Sequence, residues 1–221
     1  MANNMKRTYR IGSGASGRDR GQAHTLEAVT AALILLGSIV FALQSTAVTP
    51  LSASTASQHI ENQNAAMGEG MLAAADKNGT IEDALLYYDD ERGCFHESQA
   101  CPSYAYADGG PSTAFGESLN QTFRDQGIAF NLNIIYLGNE SEITGVRNLE
   151  KRQVVNFGDP SDHAVMVRHT VTLYDDDLLR DEDAEKTGTE LQNAESFYAP
   201  NINEDGSVYN VVQVELVIWR M

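Results

Sequence analysis

An α+β architecture is predicted by three features of the sequence: a long N-terminal helix, then a head built on an antiparallel sheet of about four strands. Residues 28–47 contain no Asp, Glu, Lys or Arg and are mostly apolar. Residues 51–76 repeat apolar side chains at helical spacing, and four later segments alternate apolar with polar residues as strands do. At 221 residues the chain is long enough for such a head to bury its own core.

The N-terminus is basic and the remainder acidic. Residues 1–21 hold Lys6, Arg7, Arg10, Arg18 and Arg20 against Asp19, so the net charge of −16 divides into +4 there and −20 beyond. Nucleic-acid phosphates require a positive surface, which excludes nucleic acid as a partner of the acidic part. An acidic excess keeps a surface hydrated, and the composition resembles that of proteins from salt-loving archaea. "GSGASG" at residues 12–17 matches the glycine spacing of dinucleotide-binding turns. It follows no predicted strand and opens no predicted helix, so it reads as a flexible tail.

As a helix, residues 28–47 reach about 30 Å, the thickness of a bilayer's hydrocarbon core. Thr30, Ser38, Gln44, Ser45 and Thr46 dilute the segment, and its densest part, residues 31–43, has the length of a signal-peptide core. Basic residues lie only on its N-terminal side. They orient the chain with its N-terminus in the cytoplasm and everything after Pro50 outside. The segment thus predicts a single-pass protein of the cell membrane with an extracellular C-terminal domain. Three fates compete: removal by signal peptidase near Ser45-Thr46-Ala47, retention as an uncut anchor, or cleavage ahead of the apolar stretch at Arg20-Gly21-Gln22.

This last arrangement resembles the class III signal of type IV pilins and pilin-like proteins. "GQAHTLEAVTAALILL" in particular is similar to membrane-anchored, pilin-like proteins of salt-loving archaea. The resemblance covers residues 18 to about 50. It implies that a prepilin-type peptidase cuts after Gly21, leaving Gln22 first. It also implies that the apolar helix stays in membrane lipid and packs against other pilin-like subunits. Glu27 would then pair with a neighbouring subunit's N-terminal amine during assembly. A cut after Gly21 makes Glu27 sixth in the mature chain, one beyond the family's usual fifth place. A carboxylate one turn into an apolar helix is costly unless paired, yet near a helix N-terminus at the membrane interface it is favourable; both readings of Glu27 stand. The layout that follows is a basic leader over 1–21, a transmembrane helix over 22–50, an amphipathic extension over 51–76 and a head over 77–221. The implied role is structural, that of a minor pilin or pseudopilin, and not enzymatic.

Beyond Pro50, which should kink or restart the helix, Ala53, Ala56, Ile60, Met67, Met71 and Ala74 form one apolar stripe. Asn78-Gly79 supplies a C-cap, and Thr80 with Asp83 opens a short new turn. Residues 90–117 are rich in loops and contain Cys94 and Cys101, the only cysteines. In an exported segment their default is a local disulfide. A metal site from Cys94, His96 and Cys101 lacks a fourth ligand. A helix over about 112–126 leads into the first sheet strand, where Ile128, Phe130, Leu132, Ile134 and Tyr136 share a face. "RQVVNF" is the second strand. Val165, Val167, His169, Val171 and Leu173 share a face of the third, and Val208, Val212, Val214, Leu216 and Ile218 a face of the last. The apolar faces suit packing on a helix, and His169 on such a face reads as a core histidine.

No catalytic residue, cofactor or metal site emerges. The run Asp175, Asp176, Asp177, Asp181 and Asp183 has no ordered ligand spacing and reads as a solvated surface. Asn201, Asn203, Asp205 and Gly206 begin like a calcium loop, but Val212 stands where the closing glutamate belongs, so a hairpin turn at Asp205-Gly206 explains them. Asp159, Asp162 and His163 could serve acid–base work, but Asp-Pro-Ser-Asp is a turn signal. Sequons at Asn78, Asn120 and Asn139 permit glycosylation. Two other functions remain open: a binding or sensing domain on a plain anchor, and an extracytoplasmic enzyme built around Asp159, Asp162 and His163 or the cysteine loop.

Overall fold

The computed structural model of the chain describes residues 16–101, 105–107 and 109–220, and side-chain surroundings within these except at 16–23 and 45–57. The chain divides into two compact units, Met1–Ala56 and Ser57–Met221. Helix α1 is Ser16–Lys77, and Pro50, where a break was expected, lies inside it. In the first unit, the described residues of α1 form one apolar helix over His24–Gln44.

The second unit is an α+β head. It holds the end of α1, a short helix α2 (Thr80–Leu85), a two-stranded ladder of β1 (Tyr88–Asp89) and β2 (Cys94–Phe95), helix α3 (Ala114–Thr122), then strands β3 (Ile128–Glu140), β4 (Arg147–Asn156) and β5 (Val165–Tyr174). A small hairpin, β6 (Leu178–Arg180) with β7 (Lys186–Glu190), precedes the last strand, β8 (Val208–Arg220). The main sheet has the order β4-β3-β8-β5 and every pairing in it is antiparallel. All four strands foreseen in the sequence are present. The β6–β7 hairpin was not foreseen, because its first strand lies within the acidic run that reads as solvated loop.

α1 ends where Asn78-Gly79 caps it. Gly79 adopts φ 74°, in the left-handed region that suits glycine, and its N–H donates to the Asp76 carbonyl at 2.9 Å. α3 is shorter than expected and continues as a 3₁₀ turn over Arg124–Gln126; Thr113 caps it, accepting the Gly116 N–H at 3.3 Å. Asn203–Gly206 forms a turn, closed by the Gly206 N–H on the Asn203 carbonyl at 3.0 Å. The chain before it is no strand, so this is a turn leading into β8 and not a strand-to-strand hairpin.

One face of the sheet carries the foreseen apolar residues: Phe130, Ile134, Leu173, Val212, Leu216 and Ile218 are buried in the core. The part of α1 that packs here keeps Met67 and Met71 of the expected stripe, partly buried against the core, but its most buried residues are others. Asn64, Gly68, Leu72 and Ala75 are buried, while Ile60 and Ala74 face solvent, and Ala53 and Ala56 fall outside the described side chains. The reason is close approach. A Cβ built on Gly68 would stand 2.7 Å from Ile218 Cδ1 and 2.8 Å from Val167 Cγ2, so only glycine lets the helix lie this near the sheet. Gly68 therefore marks the point of closest approach, with Leu72 buried one turn further on.

Gly68→Leu should force helix and sheet apart, because β-branched Val167 has no free rotamer to yield with. The head should lose about 3 kcal/mol, the upper part of the usual overpacking cost, read as a lower urea midpoint. Gly68→Ala should cost less, since it adds only the Cβ and regains about 1 kcal/mol of helix propensity against that clash.

Candidate functional site: the apolar helix and the open sheet face

Around His24–Gln44 every described large apolar side chain is exposed, on all sides of the helix. Leu26, Leu33, Ile34, Leu36 and Phe41 are examples, and none of the segment is buried. Two of the hydroxyls that dilute it, both among the described side chains, are satisfied internally: Thr30 Oγ1 donates to the Leu26 carbonyl at 2.7 Å and Ser38 Oγ to the Leu35 carbonyl at 2.8 Å. These bonds remove the main cost of placing a hydroxyl in an apolar medium. Glu27 is exposed, with its Oε2 3.6 Å from His24 Nδ1. Gly21 and Gln22 belong to α1, but their side chains fall outside the described residues.

The second face of the sheet is open and polar. Register aligns Gln153 of β4, Asn133 of β3, Glu215 of β8 and Arg168 of β5 in one row across the four strands. Glu215 is only 1% exposed. Its Oε1 accepts from Lys151 Nζ at 2.6 Å and Asn133 Nδ2 at 3.2 Å, and its Oε2 from Arg168 Nε and Nη2 at 3.0 and 2.7 Å. Burial pushes the Glu215 carboxyl up, but the hydrogen bonds and charges of Lys151 and Arg168 outweigh it and hold the group below its ordinary value. Both outer strands are thereby tied to a central one. Asn131, in the next row, donates to the Gly158 carbonyl at 2.9 Å and accepts the Phe157 N–H at 2.8 Å. This bond pair holds loop 157–164 over the end of the face.

The sign of the pH effect follows from the lowered value. Glu215 adds stability that is fully present above the ordinary carboxylate value of 4.5 and is lost as pH falls below it through the folded value. Glu82 and Asp177 oppose this with raised values, Glu82 through burial and then the charges of Asp177 and Asp83, Asp177 mainly through burial. Glu215→Gln should therefore flatten the acid limb of the head's stability, removing a slope of at most about 1.4 kcal/mol per pH unit below pH 4.5. Urea unfolding of both proteins across that limb checks it.

The remaining residues singled out in the sequence are scattered. Cys94 and Cys101 form a disulfide. Asn78 and Asn139 are exposed, whereas Asn120 is half-buried with its Oδ1 enclosed and unpaired among the described residues. Asp159 and Asp162 are exposed in loop 157–164, and His163 Nδ1 lies 3.0 Å from Glu61 Oε1. His169, read as a core histidine, is instead half-buried beside Asp76 at 3.3 Å, because β5 is a sheet edge at the helix seam. The acidic run shapes turns: Asp177 Oδ2 accepts the Tyr174 N–H at 2.7 Å, and Asp181 Oδ1 the Asp183 and Glu185 N–H groups at 3.0 Å. Among the described residues no group of three or more His, Cys, Asp or Glu side chains could hold a metal ion.

The sequence reading missed Glu215, Lys151, Arg168, Asn131 and Asn133. Alternation does put Asn131, Asn133 and Glu215 on the polar phase of their strands. Their meeting depends on β8 pairing with both β3 and β5, which alternation does not encode. No curated protein and no solved structure matches the chain. A match over residues 20–218, taking in the apolar helix and the strands of the sheet, shows that the chain belongs to DUF7288, a family of unknown function.

Proposed function

We propose that the protein is a membrane-anchored, pilin-like surface protein that acts through packing of its N-terminal helix, with the head outside the cell. The observation that carries this reading is the helix His24–Gln44, apolar on every side and unburied. A helix apolar all round needs lipid or other helices about it. Its internally bonded hydroxyls support the same reading, as does the basic leader, which favours a cytoplasmic N-terminus. Packing against copies of the same helix would satisfy Glu27 through a neighbour's amine, since a cut after Gly21 would bring it close to the new helix start.

The test is the mature N-terminus of protein taken from its host's membranes. It should begin at Gln22 with residues 28–47 retained, and Gly21→Leu should leave the leader attached, because the peptidase accommodates only a small residue there. A mature start near Val48 would establish an ordinary signal peptide and overturn the anchor. An uncut chain would favour the second reading, a plain anchor carrying a binding domain, which the open polar face of the head supports.

A further inference from the structure

The open face of the head contains a shallow, solvent-open hollow of about 670 Å³. Asn131, Asn133, Glu215 and Val217 belong to the central strands β3 and β8, Lys151 and Gln153 to edge strand β4. Pro160, Ala164 and Met166 come from loop 157–164 and strand β5. The loop tied down by Asn131 thus supplies a wall that an open sheet would lack. This is where "GDPSDHAV" finds its use, as structure beside a site.

The charges within it are unusual for this head. Residues 57–221 carry ten Lys and Arg against twenty-nine Asp and Glu. Here two cations share one carboxylate. Arg168 stands beside the hollow without lining it, and both of its bonds go to Glu215 Oε2, so it shares with Lys151 the neutralising of that buried charge. Two cations on one carboxylate leave the trio with one net positive charge, and Lys151 is the cation of the trio that lines the hollow. Its side chain remains 53% exposed although its Nζ is pinned at 2.6 Å. An ammonium held in place by one bond keeps two donors for a ligand, and fixing it beforehand lowers the cost of binding. Gln153 and Asn133 add amide groups, while Pro160, Ala164, Met166 and Val217 add apolar surface.

We infer that this hollow binds a small organic carboxylate with an apolar body, the carboxylate on Lys151 and the body against Met166, Val217 and Pro160. Arg168 is a positioning residue: without it the Glu215 charge would repel the ligand. The inference is independent of how the N-terminal helix is processed.

The test uses the full chain in detergent and the rate at which an acetylating succinimidyl ester modifies each lysine, followed by peptide mass. N-acetyl-leucine at about ten times its Kd should slow modification of Lys151 about tenfold, leaving Lys77 and Lys186 as unchanged internal references. N-acetyl-leucinamide, which lacks the carboxylate, and glucuronate, which lacks the apolar body, should protect far less. Arg168→Gln should abolish the protection and Arg168→Lys should restore it. No protection by N-acetyl-leucine, equal protection by the leucinamide or glucuronate, or equal slowing at Lys186 would each overturn the inference. Should Arg168→Gln fail to fold, the three probes on the natural chain still decide the matter.

Discussion

Replacing Asn210 with leucine should destabilise the head by about 4 kcal/mol, more than any exposed substitution. Asn210 is 0% exposed and sits in the helix-facing phase of β8, among valines and leucines. There β8 leaves β3: the last paired residues are Tyr136 and Val212. The Asn210 side chain takes over from the backbone. Its Oδ1 accepts the Leu137 N–H at 3.2 Å, and its Nδ2 donates to the Leu137 and Pro200 carbonyls at 3.0 and 2.8 Å. Leucine has a similar volume and would leave these three backbone groups without that partner. Each buried orphan costs about 1–3 kcal/mol, and partial relaxation brings the sum to about 4. Asn210→Asp should be comparably harmful, since it keeps the acceptor, loses the donor and buries a charge. Thermal or urea unfolding measures both; a loss below about 1 kcal/mol for Asn210→Leu would show that water replaces the amide.

The second large effect belongs to the proposed anchor. Ile34 lies near the centre of His24–Gln44 and is 67% exposed, as is neighbouring Leu35 at 62%. Moving from isoleucine to arginine at the centre of a spanning helix costs about 3 kcal/mol of insertion, and a second arginine roughly doubles it. Ile34→Arg with Leu35→Arg should therefore release the protein from the membrane fraction into the soluble one. Both positions are unburied within the protein, so the stability of the head should not change. Retention of the double variant in alkali-washed membranes would count against a spanning helix. Loss of head stability instead would point to a role for the apolar helix within the fold.

Much of the architecture was legible from local patterns. The apolar stretch, the Asn78-Gly79 cap, the four strands and their core faces each depend on a residue's own neighbours in the chain. Local sterics and hydrogen bonding decide such features. The disulfide was legible too, because two cysteines seven residues apart have few other partners.

What the tertiary structure alone decided depends on residues distant in sequence. Strand order β4-β3-β8-β5 brings Lys151, Arg168 and Glu215 together, although alternation is satisfied by any order. The seam of α1 runs through Asn64 and Gly68, not Ile60 and Ala74, because closeness to Val167 and Ile218 favours the absence of a side chain over a large one. Asn210 interrupts an apolar face where two strands part, a place marked only by the register of β8 against β3. Periodicity reports which way a side chain points. It carries no information about which distant strand arrives opposite, and that pairing is what turned scattered polar residues into one buried network.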